Sequence, residues 1–159
     1  MSDPAPFPPA DLAGFLQLCA GEWLALRSLL TLDRDPPASP DNDDEASWHE
    51  SERGELRVEH RPAADDHLGG LTLTPSAGPT RALSFYGNGR FAGDGGEGRW
   101  QLWPDGSLEL VAQVNGLERR ERIWFTKPNL RLRSSVEHHA DGRPGRASFS
   151  TEIRRVSRP

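Results

Sequence analysis

The sequence predicts an all-β protein, an up-and-down antiparallel β-barrel with one short N-terminal helix. Two observations lead to this expectation. About seven to nine short segments alternate apolar and polar residues with the period of two that is typical of a half-buried strand. Turn signals rich in Gly, Pro, Asn and Asp separate these segments roughly every eight to twelve residues. A β-sandwich fits the same pattern, but a barrel leaves no exposed strand edge and can hold one small ligand.

Length and composition indicate a single domain. A chain of 159 residues is long enough to bury one core, although the hydrophobic share of 35% is low because Gly and Pro are concentrated in a few stretches. Residues 1–10 are Pro-rich, and we expect a disordered or extended arm there. The predicted barrel domain covers residues 11–159.

Helical spacing is confined to the start of this domain. Asp11 is a suitable N-cap, and the apolar residues that follow it stand at i, i+3, i+4 and i+7. These residues are Leu12, Phe15, Leu16 and Cys19. A helix is therefore expected from Leu12 to about Ala20, ended by Gly21. The place of Cys19 on the apolar stripe favours a buried packing thiol over a nucleophile.

Strand patterns occupy the rest of the chain. Residues 22–32 have a period of two, which favours a strand, although a continued helix competes with it. The tripeptide Gly21-Glu22-Trp23 resembles the start of the first strand in lipocalin-type barrels, where the Trp plugs the floor and a late Arg lies across it. Later strand segments are expected at 56–60, 71–74, 81–86, 99–103, 107–114, 121–135 with a break at Pro128-Asn129, and 146–154.

Four connecting segments have recognisable chemistry. Residues 33–46 form an acidic, Pro-rich stretch that lacks the sharp-turn Gly of a calcium loop, so a solvated loop is expected. The Gly-rich run at 91–98 lacks the Lys-Ser/Thr of a phosphate loop and any following helix, so a turn is expected. Pro104-Asp-Gly106 and Asn115-Gly116 are typical hairpin turns.

Charge is unevenly distributed. The net charge is −5, yet residues 33–66 hold 12 acidic against 4 basic side chains, and residues 116–159 hold 11 basic against 5 acidic ones. A basic C-terminal third in an acidic protein favours a local anionic ligand or partner over general nucleic-acid binding.

The sequence also indicates the cellular compartment in which the protein is expected. No apolar run approaches the roughly 18 residues of a membrane helix, and the N-terminus has neither the basic start nor the apolar stretch of a signal peptide. A single cysteine excludes an internal disulfide and fits a reducing cytosol. We therefore expect a cytoplasmic protein without an integral membrane segment.

The strongest candidate site lies in residues 121–135. Because strand side chains alternate, Arg131 and Arg133 share one face, about 7 Å apart. Two guanidiniums close to Trp124 would suit a ligand that carries carboxylates on a flat conjugated body, since guanidinium groups pair with carboxylates and stack on π surfaces. The alternative is a solvated strand face that carries two arginines.

Other candidate site residues lie outside this pair of arginines. They are Arg27, Glu121, Phe85 and Tyr86. The alternative to a binding role is a cross-strand ion pair for Glu121 and core packing for the two aromatic residues. No metal site is expected, because the neighbours His138-His139 would face opposite sides of a strand. No nucleophile-elbow motif or spaced carboxylate pair indicates a self-sufficient catalyst.

Three blocks resemble the CpcS/CpeS (S-type) phycobiliprotein lyase family, in that family's order. Phe15…Gly21-Glu22-Trp23…Arg27-Ser28 is similar to Phe…Gly-x-Trp-x-x-x-Arg-Thr/Ser. Residues 121–134, read as Glu-Arg-Ile-Trp-Phe-x-x-Pro-Asn-Leu-Arg-Leu-Arg-Ser, look like the family's late strands. Residues 147–154 are similar to its closing Ala-Ser-Phe-x-Ser-Glu-Ile-Arg. The middle departs from the family: no Arg-x-x-Gly-Tyr-x-Glu segment is evident, and Phe85 stands where a Trp is usual.

The resemblance implies a lipocalin-like barrel that binds a linear tetrapyrrole, or bilin, as its substrate and keeps no permanent cofactor. The bilin, phycocyanobilin or phycoerythrobilin, would be attached through a thioether to a cysteine of an apo-phycobiliprotein subunit. The bilin-binding residues that it implies are Arg27, Phe85, Tyr86, Trp124, Arg131 and Arg133. Glu121 would be the catalytic residue, which hydrogen-bonds or protonates pyrrole nitrogens.

Three functions stay open at this point. The first is a bilin lyase, acting alone, as a homodimer or as a heterodimer with a related lyase subunit. The second is a non-catalytic bilin carrier or a partner subunit of such a lyase. The third is a barrel that binds another anionic amphiphile, such as haem or a fatty acid.

Overall fold

The computed structural model describes residues 6–32, 49–64, 66–93 and 96–156, in which one helix precedes ten strands. The predicted acidic loop at 33–46 lies outside the described residues. The elements are α1 (Leu12–Cys19), β1 (Gly21–Thr31), β2 (His49–Arg61), β3 (Gly69–Pro75), β4 (Arg81–Phe85), β5 (Arg90–Gly93), β6 (Gly96–Leu102), β7 (Leu108–Val114), β8 (Leu117–Lys127), β9 (Leu130–His138) and β10 (Pro144–Arg154).

The strands form a closed up-and-down barrel. Each strand pairs antiparallel with the next one in sequence, and β1 also pairs with β10, so that the sheet has no free edge. The predicted barrel is therefore confirmed, and the sandwich alternative is excluded. The strand prediction for residues 22–32 is confirmed over the competing helix. The Asn115-Gly116 turn is also confirmed, with φ of 53° and 79° at its two residues, both in the left-handed region.

Helix α1 closes one end of the barrel. As predicted, the Asp11 carboxylate caps it and accepts a hydrogen bond from the Gly14 amide at 2.8 Å. All four residues of the apolar stripe are buried, and the Phe15 ring meets Phe125 of β8 edge-on at 5.3 Å between centroids. No helix in the described part of the chain has the length and apolar character needed to cross a bilayer.

Trp23 forms the floor of the barrel above this helix. Its ring is 1% exposed, and its indole N–H donates to the Cys19 carbonyl at 2.9 Å. Two guanidiniums lie over the ring, that of Arg131 at 4.4 Å and that of Arg154 at 4.3 Å from the centroid. Arg154 also donates to the carbonyls of Leu18 and Ala20 and so joins the end of α1 to β10. The lipocalin-type floor expected from Gly21-Glu22-Trp23 is therefore present.

Part of the predicted N-terminal arm packs on the barrel. Pro9 is buried, and Pro8 lies so close to the turn at Gly106 that a Cβ there would come within 2.7 Å of its ring. Residues 1–5 of the arm lie outside the described part of the chain, where the expected disorder stays a prediction.

The Gly-rich run at 91–98 corrects one expectation, because most of it is strand instead of turn. β5 ends at Gly93 and pairs with Gly96 at the start of β6; residues 94–95 between them lie outside the described residues. The reason is close packing. A Cβ on Gly98 would meet the Val111 carbonyl oxygen and would lie 2.6 Å from the Phe91 ring, so only glycine allows this pairing.

We predict that Gly98→Ala lowers the free energy of unfolding by about 1–3 kcal/mol or more, because the added methyl overpacks the barrel wall. The matched control is Gly54→Ala on β2, where an added Cβ meets no heavy atom within 4 Å. That substitution should change stability by less than about 1 kcal/mol. Urea unfolding of both variants checks the prediction, and equal destabilisation of the two would contradict it.

Candidate functional site

The barrel encloses a cavity of about 460 Å³, within the range of about 300–1,000 Å³ usual for small-molecule sites. The Trp23 floor and α1 close it at one end. Three lining residues away from the floor, Arg27, Glu52 and Arg81, are exposed, so the cavity opens to solvent there. We call this opening the mouth.

The cavity has two chemically different walls. The apolar wall comes from β2, β3, β4, β5 and β7, and its members are Leu56, Leu73, Leu83, Phe91, Leu110 and Ala112. The polar wall comes from β8, β9 and β10, and its members are Glu121, Arg133, Ser135, Ser148, Ser150 and Glu152. The interior therefore suits a ligand that is apolar along one side and charged or hydrogen-bonding along the other.

An ion-pair network organises the polar wall and the floor. Arg131 Nε donates to Glu152 Oε1 at 2.5 Å, and Arg133 Nε lies 3.3 Å from Glu152 Oε2. Arg133 Nη1 in turn donates to Glu121 Oε1 at 2.9 Å. Ser150 adds a hydroxyl hydrogen bond to Glu152 at 3.2 Å. Four charged side chains from three adjacent strands thus form one continuous network, Arg131–Glu152–Arg133–Glu121.

The network fixes the charge of Glu152 and Arg133. Burial alone would raise the pKa of Glu152, but the guanidiniums of Arg133 and Arg131 lower it to about 2. Burial likewise works against the charge of Arg133, but the carboxylates of Glu152 and Glu121 raise its pKa above the ordinary arginine value. Glu152 and Arg133 therefore stay ionised at neutral pH.

The two predicted arginines of the signature differ in their access to the cavity. Arg133 lines it, with 20% of its side chain exposed. Arg131 is 1% exposed and lies below the cavity, between Glu152 and the Trp23 ring. The expected direct contact of Arg131 with a ligand carboxylate is therefore not supported by its position, because its guanidinium is committed to Glu152.

Glu121 and Arg27 also line the cavity, and the cross-strand ion pair considered for Glu121 is present, with Arg133 as its partner. Arg27 lies at the mouth. The structure therefore brings three of the candidate residues, Arg27, Glu121 and Arg133, to one cavity, and their contact with a ligand stays a prediction.

The three aromatic candidates lie away from this cavity. Trp124 is on the outer face of β8, where its ring meets the exposed Phe149 ring at 6.5 Å between centroids. Phe85 is fully buried in the core against Phe91, at 6.0 Å between centroids. Tyr86 follows β4 and lies under the Arg90 guanidinium at 4.7 Å. None of these three lines the cavity.

Two residues of the candidate site were not selected from the sequence. Glu152 pairs with both Arg131 and Arg133, and Phe91 supplies the aromatic surface of the cavity. The period of two through Ser148, Ser150 and Glu152 marks an inward polar row, which was the available signal for Glu152. Phe91 lies in the Gly-rich run for which the sequence predicts a turn.

Cys19 is buried, and burial raises its thiol pKa despite the nearby Arg131, as expected for a packing thiol. Within the described ranges, no three His, Cys, Asp or Glu side chains are grouped as metal ligands would be.

Acid should weaken the fold through Glu152. Its folded pKa of about 2 lies below the ordinary value of 4.5, so its stabilisation is complete above pH 4.5 and is lost as the pH falls through about 2. The shift corresponds to about 3 kcal/mol of unfolding free energy. Glu152→Gln should be less stable at pH 7 and should lose less stability between pH 4.5 and 2. The control is Glu97→Gln on the outer wall, and a wild-type pH profile in the Glu152 variant would contradict the assignment.

Comparison with known proteins places this chain in a family. A family model described as CpeS-like protein matches residues 96–155. The chain is 40% identical over 154 residues to a protein named chromophore lyase CpcS/CpeS 1 from Paulinella chromatophora, covering 96% of this chain and 92% of that protein. A Trichodesmium erythraeum protein with the same name is 46% identical over 59 residues, 37% of this chain and 33% of its own.

The fold has a counterpart among solved structures. The S-type phycobiliprotein lyase CPES from Guillardia theta superimposes with a TM-score of 0.65, at 19% identity, over 91% of this chain and 92% of that one. The three sequence blocks thus pointed to the right family, and the 40% identity extends over almost the whole of both chains. The chain belongs to the CpcS/CpeS chromophore lyase family.

Proposed function

We propose that this protein is a bilin lyase, which holds a linear tetrapyrrole in the barrel cavity and attaches it to a cysteine of a phycobiliprotein subunit. The observation that carries the proposal is the cavity with one ion-paired polar wall and one apolar wall. A bilin is a long conjugated body with two propionates, so it matches both walls at once. Membership of a family whose proteins are named chromophore lyases supports the same activity.

The roles of the lining residues follow from their positions. Arg133 and Arg27 present guanidiniums to the cavity and would bind propionate oxygens. Phe91 and the leucines of the apolar wall would pack against the tetrapyrrole, the role that the sequence predicts for Trp124. Arg131 would act as a positioning residue, since it orients Glu152 and through it Arg133.

Glu121 is the proposed catalytic residue. It lines the cavity, and its side chain is 19% exposed while Arg133 holds one of its oxygens. From there it would hydrogen-bond or protonate pyrrole nitrogens of the bound bilin and so polarise the conjugated system.

The attachment itself needs a thiol from the partner. The cysteine thiol adds across the exocyclic ethylidene double bond: sulfur bonds to the ethylidene carbon, and the proton ends on the tetrapyrrole. Nothing is oxidised, reduced or released in this addition. The lyase would contribute by holding the bilin in one geometry toward the acceptor cysteine and by excluding wrong additions.

Co-expression with a bilin-producing pathway and an apo-phycobiliprotein subunit tests the function. Zinc-enhanced fluorescence on the denatured subunit band is the result expected of a lyase. Colour only on the native purified protein, lost on denaturation, would instead identify a carrier. No bilin spectrum on either protein would contradict the proposal and favour another anionic amphiphile as the ligand. Parallel runs with phycocyanobilin and phycoerythrobilin identify the preferred substrate.

Glu121→Gln should retain bilin binding and lower the rate of attachment by roughly 100-fold or more, because the amide cannot exchange a proton with the pyrrole nitrogens as a carboxyl group can. The control is Glu118→Gln on the same strand, whose carboxylate pairs with Arg120 instead of lining the cavity. Single-turnover transfer and bilin affinity are measured separately. A wild-type transfer rate in the Glu121 variant would contradict the catalytic assignment.

A further inference from the structure

One glycine of the cavity wall is unusual for its position in the fold. Gly54 lies in the interior of β2 and lines the cavity between Glu52 and Leu56, which line it as well. Residues two apart on a strand share a face, so a side chain at position 54 would point into the cavity. A glycine inside a strand lowers stability relative to alanine, because it loses more conformational freedom on folding and packs no side chain. The glycine at this position therefore needs a physical cause.

Three structural causes of a strand glycine do not apply to Gly54. The first is a left-handed backbone, but the φ of Gly54 lies outside that region. The second is a β-bulge, but the pairing of β2 with β1 runs without a register shift from Val58 to His49. The third is the close approach of another segment, but an added Cβ would meet no heavy atom of the described residues within 4 Å. The cause that remains for a strand glycine is the approach of a ligand to the backbone.

Gly98 on β6 shows the opposite case. An added Cβ there would clash with the Val111 carbonyl oxygen and would lie 2.6 Å from the Phe91 ring, so protein atoms already occupy the space. At Gly54 the corresponding space belongs to the cavity. Glycine at position 98 is therefore explained by packing within the protein, whereas glycine at position 54 keeps room in the cavity.

The open space continues onto the neighbouring strand. Ala25 on β1 is directly opposite Gly54 in the strand register, and it also lines the cavity. On its other side, Ala25 is opposite Glu152 of β10. Two adjacent strands, about 4.8 Å apart, thus present only backbone and one methyl group to the interior. We call this part of the wall, formed by Ala25 and Gly54, the bay.

The bay suits a flat conjugated ring. Its surface is the backbone of two paired strands, and paired backbone leaves few polar groups free for other partners. In the ten-strand barrel, β7 lies five strands from β2 in either direction, so Leu110 and Ala112 line the opposite wall of the cavity. A planar ring can therefore pack between backbone on one side and short apolar side chains on the other.

We propose that Gly54 is a specificity-determining residue and that the bay receives one ring of the tetrapyrrole, packed against the backbone of β1 and β2. The inference rests on the proposed function and extends it, because it assigns a ring subsite to a defined part of the wall. The missing side chain at position 54 sets the width of the cavity there. A larger residue at this position would occupy the space that the ring needs.

The test is a series of side chains of increasing size, Gly54→Ala, Gly54→Val and Gly54→Leu. Phycocyanobilin is titrated by absorbance into each variant and into the wild-type protein, and urea unfolding is measured on the same proteins. Affinity should fall in that order, by roughly 10- to 200-fold for Gly54→Val, the usual effect of one group too many in a hydrophobic pocket. The urea midpoint should stay the same or rise, because the new side chain enters open space and the strand loses a glycine.

A matched control is Ser51→Val on the same strand, at an exposed residue outside the cavity lining. It should leave the bilin affinity unchanged. Wild-type affinity in Gly54→Leu would overturn the subsite while the proposed function stands. A lower urea midpoint across the Gly54 series would also overturn it, because protein atoms would then fill the space assigned to the ring. If the wild-type protein does not bind phycocyanobilin, the proposed function itself fails.

Discussion

The burial of the Arg131 guanidinium is the constraint on which the interior of this barrel depends. A charge taken out of water is costly unless it is paired and hydrogen-bonded. Glu152 supplies the pair at 2.5 Å and the Trp23 ring a π-face at 4.4 Å, while Nη2 of Arg131 has no hydrogen-bond partner within the described residues. Glu152 also pairs with Arg133. The burial of Arg131 therefore fixes the position of Arg133 as well, because both arginines share the Glu152 carboxylate. The polar wall of the cavity is a consequence of this network.

The alternation of strand side chains gives the same segments a second surface. While Arg131, Arg133 and Glu152 point inward, their neighbours on β8, β9 and β10 point outward and are largely apolar. The outward residues are Trp124, Leu132, Phe149 and Ile153, with Phe149 and Ile153 more than 40% exposed. The blocks that carry the family resemblance thus specify both the charged interior and an apolar outer face.

Local sequence was sufficient for most of the fold. The cap at Asp11, the i, i+3, i+4 spacing of α1 and the Asn115-Gly116 turn each act over a few residues, and each was predicted correctly. The placement of Trp124 was not predictable in this way. Period two divides each strand into two faces but does not say which faces meet across the turn at Pro128-Asn129. The register irregularity between Phe125 and Lys127 sets Phe125 opposite Arg131 and Trp124 opposite Leu132. The inward or outward direction of Trp124 is therefore determined by the strand pairing in the folded sheet.

The network Arg131–Glu152–Arg133–Glu121 forms the polar side of an interior site that we propose for an acidic, conjugated ligand. A crystal structure of the protein with bound bilin would show whether the ligand occupies this site. We expect the tetrapyrrole inside the barrel, with its rings against Phe91 and with Glu121 within hydrogen-bond distance of a pyrrole nitrogen. A bilin bound instead on the outer face against Trp124 and Phe149, with the interior network unchanged and without ligand, would contradict it.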